Sequence, residues 1–173
     1  DGSTVAISSP NASKNISTDY SGSKVLAYSG AVGIYKLDDD NNWWQTGDDD
    51  DSSTAGIKNI YGQKEYELIG SSLTLSSDGS TVAIGTAGGL VRLYKYEFDN
   101  GSSATQNYDN KWKQIGNDID GLGRTSVSLS SDGSTVAVGA VDYDANSDAT
   151  GSVRIFKLNS ESQWSQVGSD IDG

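Results

Sequence analysis

Hydrophobic and polar positions alternate in short runs along this chain. Ser126-Val127-Ser128-Leu129-Ser130 places an apolar side chain at every second position, and Thr135-Val136-Ala137-Val138 continues the β-type enrichment. A period of two predicts half-buried strands, and no stretch carries the 3.6-residue spacing of an amphipathic helix. Between these runs, Ser130-Ser131-Asp132-Gly133-Ser134 predicts a tight hairpin, in which Gly takes positive φ and Asp hydrogen-bonds the turn. Val153-Arg154-Ile155-Phe156-Lys157-Leu158 and Trp164-Ser165-Gln166-Val167-Gly168 predict a third and a fourth strand.

The same strings recur in the same order. Asp-Gly-Ser-Thr-Val-Ala followed by Ile or Val begins at Asp1, Asp78 and Asp132. Each copy is followed by a strand string: Val32 to Leu37, Val91 to Tyr96, and Val153 to Leu158. Trp-x-Gln-x-Gly then follows at Trp43, Trp112 and Trp164, and Asp-Ile-Asp-Gly ends the second and third units at Gly121 and Gly173. Four short antiparallel strands in about 50 residues form the unit of a β-propeller. The expected fold is therefore all-β: about three four-stranded blades, the first incomplete. Blade 1 covers 1–47 in part, an insertion 48–70, blade 2 71–121 and blade 3 122–173. Closed propellers use roughly 4 to 8 blades. Three blades imply a piece of a larger propeller, or a half-ring completed by a second copy.

Composition sharpens this picture. Val, Ile, Leu and Phe make up 34 of 173 residues, and the net charge is −12. That balance lies near the boundary of disorder, and the repeat resolves it, because short alternating strands need few apolar residues. The chain has no Cys and no His, which excludes disulfides, thiol nucleophiles, Ser-His-Asp catalysis and most zinc chemistry. Strong acidity argues against a nucleic-acid partner, and no apolar run is long enough for a membrane-spanning helix.

Ser-Leu-Ser-Ser-Asp-Gly-Ser-Thr-Val-Ala-Val-Gly-Ala, Gly-Ser-Val-Arg-Ile-Phe-Lys-Leu and Trp-x-Gln-x-Gly-x-Asp-Ile-Asp-Gly resemble FG-GAP-type propeller repeats. They look like the divergent branch found in secreted and surface proteins of marine microbes and algae, with integrin alpha subunits as better-known relatives. The resemblance covers the chain outside its insertions. It implies an extracellular, adhesive or structural propeller that binds other proteins or surface glycans, often with calcium in its loops. The first hairpin holds only Asp-Gly where integrins carry a longer acidic calcium loop.

Candidate sites lie in the loops, where function usually resides on a rigid scaffold. Asp142, Asp144, Asn146 and Asp148 alternate in the manner of a calcium loop, but Ser147 replaces the usual Gly and no Glu stands at position 12. Calcium and a solvated acidic turn are both consistent with that string. Contiguous runs at Asp38 to Asp40 and Asp48 to Asp51 are poorly shaped to wrap an ion. Asp-Ile-Asp-Gly reads as a hydrogen-bonded turn between blades. Trp43, Trp112 and Trp164 recur at one position and are expected to pack between blades. Trp44, which does not recur, is expected to face outward and, with Tyr143 and other loop tyrosines including Tyr20, Tyr61, Tyr66 and Tyr108, to offer a ligand-binding surface. Asn11, Asn15 and Asn100 head glycosylation sequons. Nearly every carboxylate belongs to a turn, an acidic run or the repeat itself. The expected role is thus non-catalytic binding, with a carbohydrate-binding lectin as the alternative and part of a polysaccharide-active enzyme ranked below both.

Overall fold

Alternating Ser, Thr and Val become paired strands in the computed structural model, which describes residues 2–16, 24–47, 59–97, 111–141 and 151–173. Of the described residues 53% are strand and none is helical, so the fold is all-β, as expected. No helix among them is long and apolar enough to cross a membrane.

Three antiparallel sheets follow one another along the chain. The first contains β1 (Thr4–Ser9), β4 (Ala31–Leu37), β5 (Trp43–Gln45) and β6 (Ile60–Tyr61), with a side ribbon of β2 (Lys14–Ile16) and β3 (Lys24–Leu26). The second contains β7 (Ser72–Leu75), β8 (Thr81–Gly85), β9 (Leu90–Glu97), β10 (Lys111–Gln114) and β11 (Ile119–Asp120). The third repeats it with β12 (Thr125–Leu129), β13 (Thr135–Ala140), β14 (Ser152–Leu158), β15 (Trp164–Gln166) and β16 (Ile171–Asp172). Among the described residues, the first sheet has no counterpart of β7 and β12.

The register corrects one sequence expectation. Asp-Ile-Asp-Gly is not a turn between blades. Ile119 pairs with Val91 and Ile171 with Val153, so these short strands continue the fourth strand along the same edge after a break. Trp-x-Gln pairs with the far end of the third strand, and the Gly-containing break lets the chain re-enter the ladder. In the first sheet Ile60 pairs with Val32 in the same way. Asn59-Ile60-Tyr61-Gly62 is therefore the first copy of this string, lying inside a stretch that reads as insertion in the sequence.

The hairpin motif folds identically in the second and third sheets. Ser76 Oγ donates to Asp78 Oδ1 at 2.6 Å, and Ser130 Oγ to Asp132 Oδ1 at 2.6 Å. The amide and hydroxyl of Ser80, and those of Ser134, complete each aspartate cage. Gly79 and Gly133 take φ of 65° and 72°, a region open to glycine at no steric cost. Hydrogen bonds from Ser76 first and then Ser80 hold the Asp78 carboxyl down at about 2. Those from Ser130 and Ser134 do the same for Asp132, also at about 2.

Apolar faces pack sheet on sheet. Val32, Ile34 and Ile69 from the first sheet and its exit meet Val82, Ile84 and Tyr94 of the second. Val91, Leu93 and Ile119 on the other face of the second meet Val136, Val138, Phe156 and Trp164 of the third. Each such side chain contributes roughly 1.5–3 kcal/mol when fully buried, which is how a chain with few apolar residues still forms a core.

Candidate functional site

Two insertions that break the repeat meet at one place. The ribbon β2–β3 extends the connection between β1 and β4, and residues 63–68 extend the connection from β6 to β7. Backbone bonds tie them together: Tyr66 N donates to Ala27 O at 2.8 Å, Leu68 N to Tyr28 O at 3.2 Å and Ile69 N to Ser29 O at 3.0 Å. Above this base the rings of Tyr28 and Tyr66 stack, with centroids 5.6 Å apart and planes 24° from parallel. Both rings are exposed.

The backbone beneath the pair is strained. Tyr28, Tyr66 and Leu68 take φ of 49°, 58° and 53°, the left-handed region that side chains bearing a Cβ seldom adopt. Each such residue costs of order 1 kcal/mol and persists only where its surroundings enforce it. The enforcement is visible here. Ser13 Oγ accepts from Tyr28 N at 3.0 Å. Glu67, its side chain buried, accepts from Gln63 N at 2.5 Å and Lys64 N at 3.1 Å, closing the turn that lifts Tyr66 outward.

Glu67 also anchors that turn to the second sheet through Arg92 Nη2 at 2.6 Å. Arg92 in turn holds Asp118, its Nε lying 3.0 Å from both carboxylate oxygens. Burial alone would lower the Arg92 pKa, but hydrogen bonds and charge from Glu67 and Asp118 outweigh it and raise it further. Burial would likewise raise Asp118, yet bonds from Arg92 and Gln114 keep it below its ordinary value. Burial pushes the neighbouring Tyr94 phenol up to about 12, so it stays neutral at ordinary pH. The network is structural: Glu67 is committed to the guanidinium and two backbone amides, and Asp118 to the guanidinium and the Gln114 side chain.

Near the platform, Lys14 Nζ sits 5.3 Å from the Tyr61 ring centroid. Two stacked, exposed rings can meet a flat or ring-shaped apolar surface.

Of the residues anticipated from sequence, Tyr66 stands at this platform and Tyr61 beside Lys14. Trp44 is exposed on β5, opposite Lys36, and is not one of the stacked pair. Trp43 is also exposed, whereas Trp112 and Trp164 pack against the preceding sheet through Nε1 bonds to Thr46 Oγ1 and Ile115 O. Asn11 is exposed in the turn after β1, and Asn15 lies in β2. Asp142, Tyr143, Asp144, Asn146 and Asp148 lie outside the described residues, as do Asn100, Tyr20 and Tyr108. Among the described residues, no group of three or more acidic side chains could hold a metal ion.

Sequence reasoning passed over Tyr28 as a platform residue. The available signal was its place in the same kind of insertion as Tyr66; what joins the two is a set of backbone bonds that no spacing encodes. No protein-family model matches the chain, and no curated protein matches it.

Proposed function

We propose that this chain is a non-catalytic, macromolecule-binding module, its sheets serving as propeller blades and its contact surface lying at the insertions. The carrying observation is the Tyr28–Tyr66 stack: two unrelated insertions converge, against backbone strain, to hold two aromatic faces exposed on rigid sheets. Strain retained at an exposed site is better accounted for by binding than by folding. The repeat architecture and the FG-GAP-like strings support an adhesive or structural role in a secreted or surface protein. On the same reading, Asn11, Asn15 and Asn100 carry glycans and the Asp142 to Asp148 loop takes calcium.

The exposed, nearly parallel rings favour a carbohydrate as the bound group, because sugar rings present apolar faces that stack on aromatic ones. Binding of the chain to a glycan array tests this, with Tyr66→Ala and Trp44→Ala as variants. The expected result is specific binding that falls at least about tenfold with Tyr66→Ala, equivalent to about 1.4 kcal/mol of stacking, with unchanged melting temperature. Binding that survives Tyr66→Ala and fails with Trp44→Ala would move the contact surface to β5.

A further inference from the structure

Lysine stands at one position of the long third strand in every repeat, as Lys36, Lys95 and Lys157, but its partner across the hairpin differs. Lys36 pairs with Trp44, whereas Lys95 pairs with Lys113 and Lys157 with Ser165. Tyr96 is likewise an exception, since the first and third sheets carry Leu37 and Leu158 in its place. The fold brings these two departures from the repeat to one spot. Alternation along β4 puts Lys36 on the face of Val32 and Ile34, toward the second sheet. Alternation along β9 puts Tyr96 on the face of Tyr94, toward the first.

There Lys36 Nζ lies 5.2 Å from the Tyr96 ring centroid, and the Tyr96 and Trp112 centroids are 5.3 Å apart with planes tilted by 49°. The Trp112 indole is fixed by its Nε1 bond to Thr46 Oγ1 at 3.0 Å, so the rim is braced from both sheets. Trp44 stands beside Lys36, at the roughly 5 Å Cβ separation of a cross-strand pair, and remains 43% exposed. Among the described residues no carboxylate pairs with Lys36, in a chain whose net charge is −12. Asp38, two residues on, has its Oδ1 taken by the amides of Asp40 and Asn42. Packing does not require this arrangement. At the next rim Leu158 closes against the core of the second and third sheets, and Lys95 stands exposed.

We propose that this rim is a second binding site, for a sugar ring that carries a carboxylate. The apolar face of the ring stacks on the exposed indole of Trp44, and the carboxylate accepts from the Lys36 ammonium. The Tyr96 ring holds that ammonium in place without neutralising it, so its charge stays available to a ligand. Lys36 and Trp44 share one face of the sheet, side by side, which suits a ring and an acid group joined directly to it. A ring face beside an unneutralised cation selects acidic sugars over neutral ones. The inference rests on the reading of the chain as a carbohydrate-binding module, and the site shares no residue with the tyrosine platform.

Isothermal titration calorimetry with a galacturonic acid hexamer, and with the same hexamer after its carboxyls are reduced to alcohols, tests the proposal. At about 0.15 M salt the Debye length is about 8 Å, so the overall negative charge of the chain is screened beyond the site. The expected result is binding of the acidic hexamer that weakens about tenfold with Trp44→Ala. Lys36→Gln should weaken the acidic hexamer about tenfold and leave the reduced one unchanged, while Lys36→Arg keeps the preference. A merely structural role for Lys36 would weaken both hexamers alike, so the ratio of the two affinities decides even where the melting temperature falls. Tyr66→Ala should leave the acidic hexamer bound and remove only glycans held by the tyrosine platform, so failure of either site shows separately. No binding of the acidic hexamer, equal affinity for both hexamers, or binding indifferent to Trp44→Ala would overturn the site. So would acidic-hexamer binding that is lost with Tyr66→Ala.

Discussion

Arg92 in the second sheet and Arg154 in the third hold the same position in the repeat, and each reaches an aspartate in the break of the fourth strand. Arg154 pairs with Asp170 at 2.8 Å and its side chain is 19% exposed; Arg92 pairs with Asp118 and is 1% exposed. The difference comes from the insertion, since residues 63–68 cover the second sheet's arginine and bring Glu67 down onto it. In the first sheet the position is Gly33, and a neutral bond from Gln45 to Asn59 at 2.6 Å occupies the same break. A repeat position therefore specifies a geometry for closing the strand break, while the electrostatic cost of filling it is set by what lies above. A buried charge is tolerated where a second carboxylate meets it, and a neutral pair suffices where no arginine stands.

The largest expected effect breaks this comparison at its centre. Arg92→Ala leaves Glu67 buried without its cation and costs about 3–5 kcal/mol, because an orphaned buried charge loses solvation without compensation. Arg154→Ala, at a pair whose side chains are 19% and 29% exposed, costs less, about 1 kcal/mol. For a chain of this size each kcal/mol shifts the melting temperature by roughly 2–4 °C. Urea unfolding of the two variants measures both, and equal losses would show that the Glu67 cover has no energetic consequence.

Much of the scaffold was legible in the sequence, for identifiable reasons. Period-two alternation gave the strands β12, β13 and β14, and the Asp-Gly hairpins folded as their turn chemistry requires. The re-entrant strand was not legible at Asn59-Ile60-Tyr61-Gly62, since Asn replaces Asp, Tyr replaces Asp and eleven residues separate it from Gly47. Only pairing of Ile60 with Val32 reveals the equivalence. The Arg92–Glu67 pair was equally hidden. Arg92 recurs as Arg154, which marks it as part of the repeat, but Glu67 belongs to an insertion and has no counterpart to compare. Sites formed between a repeat and its exceptions escape pattern reading because the pattern describes only one partner.

Acid titration gives an intermediate effect and sharpens the comparison. Bonds from Arg154 and then Gln166 lower the Asp170 carboxyl, as Asp118 is lowered in the second sheet. Asp78 and Asp132, both held at about 2 against an ordinary 3.8, act in the same direction. A carboxyl whose folded pKa is depressed stabilises fully above its unfolded value and loses that contribution as pH falls through the folded one. Stability is thus expected to be flat above pH 5 or so and to fall steeply from about 4 to 2. Asp78→Asn with Asp132→Asn should lower stability at neutral pH and make the acid limb shallower, as followed by melting temperature against pH. An unchanged acid limb would show that these hairpin cages do not carry the titration.

The smallest expected effect separates burial of the arginine from any general difference between the two sheets. Gln114 Nε2 donates to Asp118 Oδ1 at 2.7 Å, and Gln166 Nε2 to Asp170 Oδ1 at 2.7 Å. Each also reaches the carbonyl of its own turn glycine, at 3.4 Å for Gly116 and 3.3 Å for Gly168. The two amides make the same bond to the aspartate, and neither touches Glu67 itself. Gln114→Ala and Gln166→Ala should each cost about 0.5–1 kcal/mol, matching within about 0.5, the usual net worth of one hydrogen bond open to water. The additional 3.3 Å bond from Gln63 to Gln114 accounts for a slightly larger loss in the second sheet. If instead Gln114→Ala cost several times more than Gln166→Ala in urea unfolding, the second sheet would be the more sensitive throughout. The contrast between the arginines would then reflect its central place in the stack, with sheets packed on both faces, and not the carboxylate that the insertion supplies.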